Sequence, residues 1–242
     1  MRKLNEKIEK ILNEIVEKLK DNFKEGLCGV LLYGSWATGK ARETSDIDLL
    51  VVFEKVTGRI RKSAYEVIGD VKSEMEVSIV LTSREEFQKE KIPLFTAVKK
   101  EGILLYGDLD LRLNPSPPEE KYKEFFRKSK EFEKRKVENA EKLLEERFLS
   151  SSVILNCYIA VKHAFQAGLA MKGIGFSSKF PILCEWVRKY YGEEWKDKFK
   201  KLFDLYVKSE YELEELSKEE CSFAINCAKE ILERVYEEFQ EK

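Results

Sequence analysis

Histidine occurs once, methionine three times and proline five times in 242 residues, and each shortage removes a class of explanation. A lone His163 cannot complete a zinc-finger ligand set, and the cysteines (Cys28, Cys157, Cys184, Cys221 and Cys227) include no C-x-x-C pair, so structural zinc is not expected. Their odd number, and the apolar neighbours Leu27 and Val30 around Cys28, point instead to reduced, buried thiols in a cytoplasmic protein. No run of about 18 uncharged apolar residues occurs, and the first residues lead into a charged amphipathic stretch, so neither a membrane span nor a signal peptide is expected. Net charge is also nearly absent. The 44 basic and 45 acidic residues leave −1, which supplies no global field to attract nucleic acid, so any such binding must be local. Few methionines beside abundant Glu and Lys is a mixture found in hyperthermophile proteins and in ordinary exposed helices alike.

What the chain does contain is charge (37%) interleaved with apolar residues (43%), the texture of a helix-rich globular protein long enough for two cores. Leu4, Ile8, Ile11, Leu12, Ile15, Val16 and Leu19 recur at helical spacing and predict an opening amphipathic helix that ends near Gly26. Residues 29–33 and 47–53 are short apolar runs that read as buried strands, with a third strand over 75–82 and a fourth over 103–106. Residues 60–71 read as a helix, and 84–91 as a short one stopped before Pro93. Asn114-Pro115-Ser116-Pro117-Pro118 then separates this mixed half from a second in which helical periodicity fills residues 122–144, 153–171, 182–191, 195–211 and 221–239. The expectation is an α+β protein: a small mixed sheet flanked by helices over residues 1–108, a Pro-rich linker over 109–118, and an all-α bundle over 119–242.

The chemistry-bearing segment is Tyr33-Gly34-Ser35-Trp36-Ala37-Thr38-Gly39-Lys40-Ala41-Arg42-Glu43-Thr44-Ser45-Asp46-Ile47-Asp48. Strand residues two apart share a face, so Asp46 and Asp48 are expected to present two carboxylates together. Two carboxylates at an apolar strand are costly without a counter-charge, and a hard divalent cation, Mg²⁺ or Mn²⁺, supplies one. If Asp46 merely caps a turn with Ser45, Asp48 remains unexplained. Gly34 permits close backbone approach, Ser35 offers a hydroxyl and an N–H for phosphate oxygens, and Lys40 and Arg42 add positive charge; taken singly, an N-cap and a solvated loop would account for them. A P-loop competes for Gly34-x4-Gly39-Lys40, but Ala41 stands where its metal-binding Ser or Thr is needed, and residues 42–45 read as a turn.

Gly-Ser, ten residues, then Asp-x-Asp resembles the signature of the polymerase-β-like nucleotidyltransferases, especially their minimal and kanamycin-nucleotidyltransferase-like members. The likeness extends over residues 25–107, because Glu76-Val77-Ser78-Ile79-Val80-Leu81-Thr82 followed by Arg84-Glu85-Glu86-Phe87 resembles the family's third-carboxylate strand and helix. The resemblance implies transfer of a nucleoside monophosphate from ATP or another nucleoside triphosphate to an acceptor hydroxyl, with release of pyrophosphate. It further implies that Asp46, Asp48 and Glu76 bind metal, that Glu76 helps activate the acceptor, and that Gly34, Ser35, Lys40, Arg42 and Ser45 serve the nucleotide. Glu74, on the same strand face, competes with Glu76. The acceptor implied is a small alcohol, a protein hydroxyl or an RNA end, and a non-catalytic, antitoxin-like partner protein is the alternative.

The helical half is similar to the HEPN domains that accompany such transferases, through residues 202–215 and 224–235, and pairing of two copies through it is the oligomer this likeness suggests. HEPN ribonucleases share an Arg followed four to six residues later by His. Before His163 those positions hold Asn156, Cys157 and Tyr158, so RNA cleavage is not expected. His163, near Tyr158, Ile159, Phe165 and Leu169, reads as a packed or partly exposed structural histidine, and Tyr190, Tyr191 and Trp195 read as core or lining. The run Lys134-Arg135-Lys136, flanked by Glu131, Glu133 and Glu138, reads as a solvated helix face.

Overall fold

The structure, a computed structural model, describes residues 6–146 and 149–239. It divides into two compact units, Met1–Pro115 and Ser116–Lys242.

In the first unit α1 (Glu6–Phe23) buries Ile8, Ile11, Leu12, Ile15, Val16 and Leu19, a three-and-four spacing that puts one apolar stripe against the sheet. Leu4, expected to begin that stripe, lies outside the described residues. The chain continues through β1 (Leu27–Tyr33), α2 (Gly34–Thr38), β2 (Ile47–Phe53), α3 (Gly58–Gly69), β3 (Val77–Ser83), α4 (Arg84–Lys89), α5 (Pro93–Glu101) and β4 (Ile103–Gly107). The strands form one mixed sheet in the order β3-β2-β1-β4, in which β1 pairs antiparallel with β2 and β4 while β2 pairs parallel with β3.

Both faces of the sheet are covered, which explains why β2 is apolar on alternate and intervening residues alike. Ile47, Leu49, Val51 and Phe53 pack with α1 and α3, and Leu50 and Val52 pack with Phe87 of α4 and Phe95 and Val98 of α5. Helix α5 is not among the elements expected from the sequence, in which Pro93 reads as a stop for the helix before it. Proline has no N–H to lose at a first helical turn, and here it opens α5.

Beyond β4 the chain is sewn back onto the first unit. Leu109 is buried among the α4 and α5 side chains. A fully buried ion pair, Lys99 Nζ to Glu90 Oε1 at 3.1 Å, anchors residues 112–114. Lys99 donates to the carbonyl of Arg112 at 3.0 Å, and the amide of Asn114 donates to Glu90 Oε1 at 2.6 Å. Thr96 also donates to the carboxylate, to Oε2 at 2.6 Å, so neither charge is buried without compensation.

The second unit is helical throughout its described elements: α6 (Pro118–Lys121), α7 (Lys123–Glu146), α8 (Ser150–Met171), α9 (Phe180–Tyr191), α10 (Glu193–Glu210) and α11 (Lys218–Glu237). Helix α8 is the bundle's centre, packed by α7, α9, α10 and α11, and its apolar surface is turned into that core. Among the described residues it alone has the length and composition of a membrane span, and 72% of its most apolar window is buried by the bundle. Ser217 starts α11 with a reciprocal capping box to Glu220. All five cysteines are buried and unpaired. The α+β architecture followed by an all-α bundle is as expected from the sequence.

Candidate active site at the mouth of the sheet

The β1 to β2 connection builds the site. Tyr33 ends β1 and faces Asp48 across the antiparallel pair. The next residue, Gly34, has φ +72°, and a Cβ there would collide with Asp48 Oδ2, so glycine is required by backbone conformation and by the carboxylate seated against it. Helix α2 follows for one turn and a half, with Ser35 buried within it. It closes at Gly39, left-handed at φ 72°. A P-loop would begin its helix after this point; here the helix precedes Gly39, and the chain turns instead.

That turn is bonded to itself and to α2. The Lys40 amide donates to the Ser35 carbonyl at 2.9 Å, and the Ser45 amide donates to the Arg42 carbonyl at 2.9 Å. The Arg42 amide donates to Ser45 Oγ at 2.9 Å, which employs the Ser45 hydroxyl as a turn acceptor. Lys40 and Arg42 are exposed. Trp36, half-buried on the α1 side of the sheet, donates its indole N–H to the Ser45 carbonyl at 3.1 Å.

Two expectations are corrected in detail. Asp46 lies one residue before β2 and is exposed, whereas Asp48 lies within β2 and is half-buried. Glu76 precedes β3 and is also exposed. The Ile47 amide donates to the Glu76 carbonyl at 2.9 Å, and Ile47 is in register with Val77 and Asp48 with Ser78. Asp46 and Glu76 therefore flank the point at which the parallel pair begins. The three carboxylates border one strand mouth but do not close on one another: among the described residues no three His, Cys, Asp or Glu side chains form a ready metal cluster.

Glu74, the competing carboxylate, is engaged elsewhere. It accepts from Lys7 of α1 at 2.5 Å, and that bond holds its carboxyl below the usual range. Tyr33 and Trp36 were not singled out in the sequence. Burial, and secondarily the Asp48 charge, push the Tyr33 hydroxyl up to about 12, so it meets Asp48 as a neutral phenol. The signal for both residues was their place on either side of the Gly-Ser pair, one ending β1 and one within α2.

In the helical unit His163 Nδ1 lies 2.9 Å from Glu133 Oε1. Glu133 is 2% exposed, which corrects its reading as part of a solvated face. Its Oε2 finds no hydrogen-bond partner. Lys134 and Arg135 are exposed, while Lys136 lies over the Phe132 ring.

The nucleotidyltransferase domain model matches residues 12–161, and the HEPN domain model matches residues 122–239. The first match runs past Pro115 into α7 and α8, helices whose packing partners are α9, α10 and α11, so the packing assigns them to the bundle. A candidate protein adenylyltransferase of Methanocaldococcus jannaschii is 39% identical over 61 residues, 25% of this chain, and the chain spans 41% of that relative's length. A spectinomycin adenyltransferase from Enterococcus faecialis, solved with ATP and spectinomycin, superposes with a TM-score of 0.53 at 15% identity over 91% of this chain and 99% of its own. It shares the fold. A candidate nucleotidyltransferase from Sulfolobus solfataricus is 26% identical, covering 44% of this chain and 92% of its own, at a TM-score of 0.32.

Proposed function

Since the chain belongs to the nucleotidyltransferase domain family, we propose that it transfers AMP from ATP to an acceptor hydroxyl and releases pyrophosphate, using Asp46, Asp48 and Glu76 as the metal-binding carboxylates. The observation that carries this reading is the seat of Asp48 on Gly34, at a strand mouth bordered by Asp46 and Glu76. A transferase site needs carboxylates beside backbone that a triphosphate can approach, and a glycine that gives up its Cβ space to a carboxylate seats the first of these. The donors are all oxygen, which suits Mg²⁺ or Mn²⁺ and not a soft metal. The residues fit the ion. When bound, it would neutralise triphosphate charge and lower the pKa of the attacking hydroxyl.

The chain's own groups account for the remaining work. Asp46 and Asp48 hold the charge at the strand mouth, and Glu76 takes the acceptor proton as the acceptor oxygen bonds to the α-phosphorus and the bond to pyrophosphate breaks. Gly34 and Ser35 admit the phosphates, and Lys40 and Arg42 lend positive charge from the turn. Tyr33, which faces Asp48 across the strand pair and is kept neutral by burial, does not compete with it for the cation. We assign this chemistry to residues 1–108 and the HEPN-like role to 119–242. The adenylyl group is favoured as cargo because two of the similar proteins are named for its transfer. A protein hydroxyl is favoured as acceptor because the 39% identical relative is named for it, with a small alcohol next. Five buried, unpaired thiols suit a reducing cytoplasm.

The test is incubation with ATP labelled at the α-phosphate, Mg²⁺ and a panel of protein and small-alcohol acceptors, for wild type and Asp48→Asn. We expect acceptor labelling and pyrophosphate release in wild type, and a loss of at least about 100-fold in a folded Asp48→Asn. Equal transfer by both proteins would refute the assignment.

A further inference from the structure

Asp46 is exposed, yet both peptide groups flanking it are fastened. On one side the Ser45 carbonyl accepts from the Trp36 indole at 3.1 Å. On the other the Ile47 amide donates to Glu76 at 2.9 Å. The second tie belongs to the sheet; the first does not. The turn over residues 42–45 closes on itself through Arg42 and Ser45, and the backbone tie to α2, Lys40 to Ser35, lies before it, so these bonds do not fix Ser45 against α2. Trp36 does, with its ring anchored on the sheet's α1-side core and its N–H reaching nine residues ahead. Resting on the reading of Asp46 as a metal ligand, we propose that Trp36 is a positioning residue, whose indole bond sets the Ser45–Asp46 peptide and so preorganises Asp46 for the cation.

The physical ground is that an exposed carboxylate on a free turn must be ordered when the ion binds, whereas one whose backbone is already held avoids most of that cost. Phenylalanine keeps an apolar aromatic ring, smaller than the indole, and deletes the N–H. A single hydrogen bond of ordinary strength corresponds to a weakening of metal affinity of up to about tenfold. By linkage, the cation must in turn strengthen the bond that favours it.

The experiment titrates Mn²⁺ by calorimetry into the full chain with AMP-PNP present, for wild type, Asp46→Asn and Trp36→Phe, alongside melting curves. We expect Asp46→Asn to lose most of the binding. Trp36→Phe should bind Mn²⁺ about two- to tenfold more weakly, with a melting midpoint within a few degrees of wild type, and should recover full AMP-PNP binding at saturating Mn²⁺, which a merely misfolded site would not do. Unchanged Mn²⁺ affinity in a folded Trp36→Phe overturns the role of Trp36 and leaves the metal assignment standing. A wild type without Mn²⁺ binding, or an Asp46→Asn that binds as wild type does, overturns both. Should Trp36→Phe fail to fold, solvent exchange of the indole N–H in the intact chain decides. It should slow when Mg²⁺ and AMP-PNP are added, and an unchanged rate overturns the proposal.

Discussion

At the mouth of the sheet Asp46 and Glu76 stand in solvent on backbone that is fastened beside each of them, whereas in the helical bundle Glu133 is 2% exposed and its carboxylate is closed off by His163. Both units contain acidic groups beside apolar cores, but the first holds Asp46 and Glu76 reachable at a strand mouth and the second uses Glu133 as an internal strut. The difference follows from geometry. A strand end opens on a loop that can present side chains without burying them. A residue on the inward face of a 24-residue helix such as α7 has only its neighbours' side chains to meet. Chemistry with an external substrate belongs to the first arrangement, and anchoring of one helix to another to the second.

The largest effect should come from breaking the seat of Asp48. Gly34→Ala places a Cβ against Asp48 Oδ2 on backbone with φ +72°, and both consequences are unfavourable. We expect a stability loss of about 1–3 kcal/mol by denaturant unfolding, and nucleotidyl transfer reduced beyond what that loss accounts for. A Gly34→Ala protein that is as active as wild type would show that the carboxylate does not depend on this seat.

In the bundle the matching change is His163→Ala, which leaves Glu133 buried with neither oxygen bonded. It should cost about 1–3 kcal/mol of stability and change nothing else: no RNA cleavage in wild type to lose, and AMP transfer equal to wild type. A loss of single-stranded RNA cleavage with this substitution would make the strut a catalytic group and collapse the contrast between the units.

Only part of this contrast is legible in the sequence. The strand of residues 47–53 is, because both its faces are covered, giving a run that is apolar apart from Asp48, and the Gly-Ser to Asp-x-Asp spacing points to the candidate site before any geometry. The features that escape depend on contacts distant in sequence. Glu133 carries the same local signal as its exposed neighbours Glu131 and Lys134; only α8 passing at His163 makes it internal. Trp36 looks like one more apolar residue until Ser45 comes round to meet it. Pro93 is ambiguous in kind, since proline ends one helix and starts another with the same stereochemistry.

Raising the pH should separate the units again, by a smaller margin. Burial pushes the Tyr158 hydroxyl up to about 12 from 10.0, and burial likewise raises Tyr191 and Tyr236, all in the bundle, against Tyr33 alone at the sheet. A folded chain with raised values holds protons that the unfolded chain releases, so this stability is fully present below pH 10 and is lost as pH rises from 10 towards 12. Hydrogen exchange followed peptide by peptide should show α8 and α11 losing protection at lower pH than β1 and β2. The reverse order would mean that groups other than these phenols govern alkaline unfolding.

The smallest effect is expected at Glu74, and it sharpens the site by what it does not do. Glu74 and Glu76 are two residues apart, and from sequence either could supply the third carboxylate. In the structure Glu74 is spoken for by Lys7 in an ion pair whose side chains are 56% and 84% exposed, an interaction that solvent screens. Glu76 stands where β3 begins alongside β2, its carbonyl bonded to Ile47 next to Asp46. Glu74→Gln should therefore leave melting, Mn²⁺ affinity and AMP transfer at wild-type values within error, while Glu76→Gln should lose transfer and weaken Mn²⁺ binding in a chain that melts as before. If Glu74→Gln proves the damaging change, Lys7 is a lid on the true ligand and not a decoy's partner, and Lys7→Ala should then increase the metal affinity of the chain.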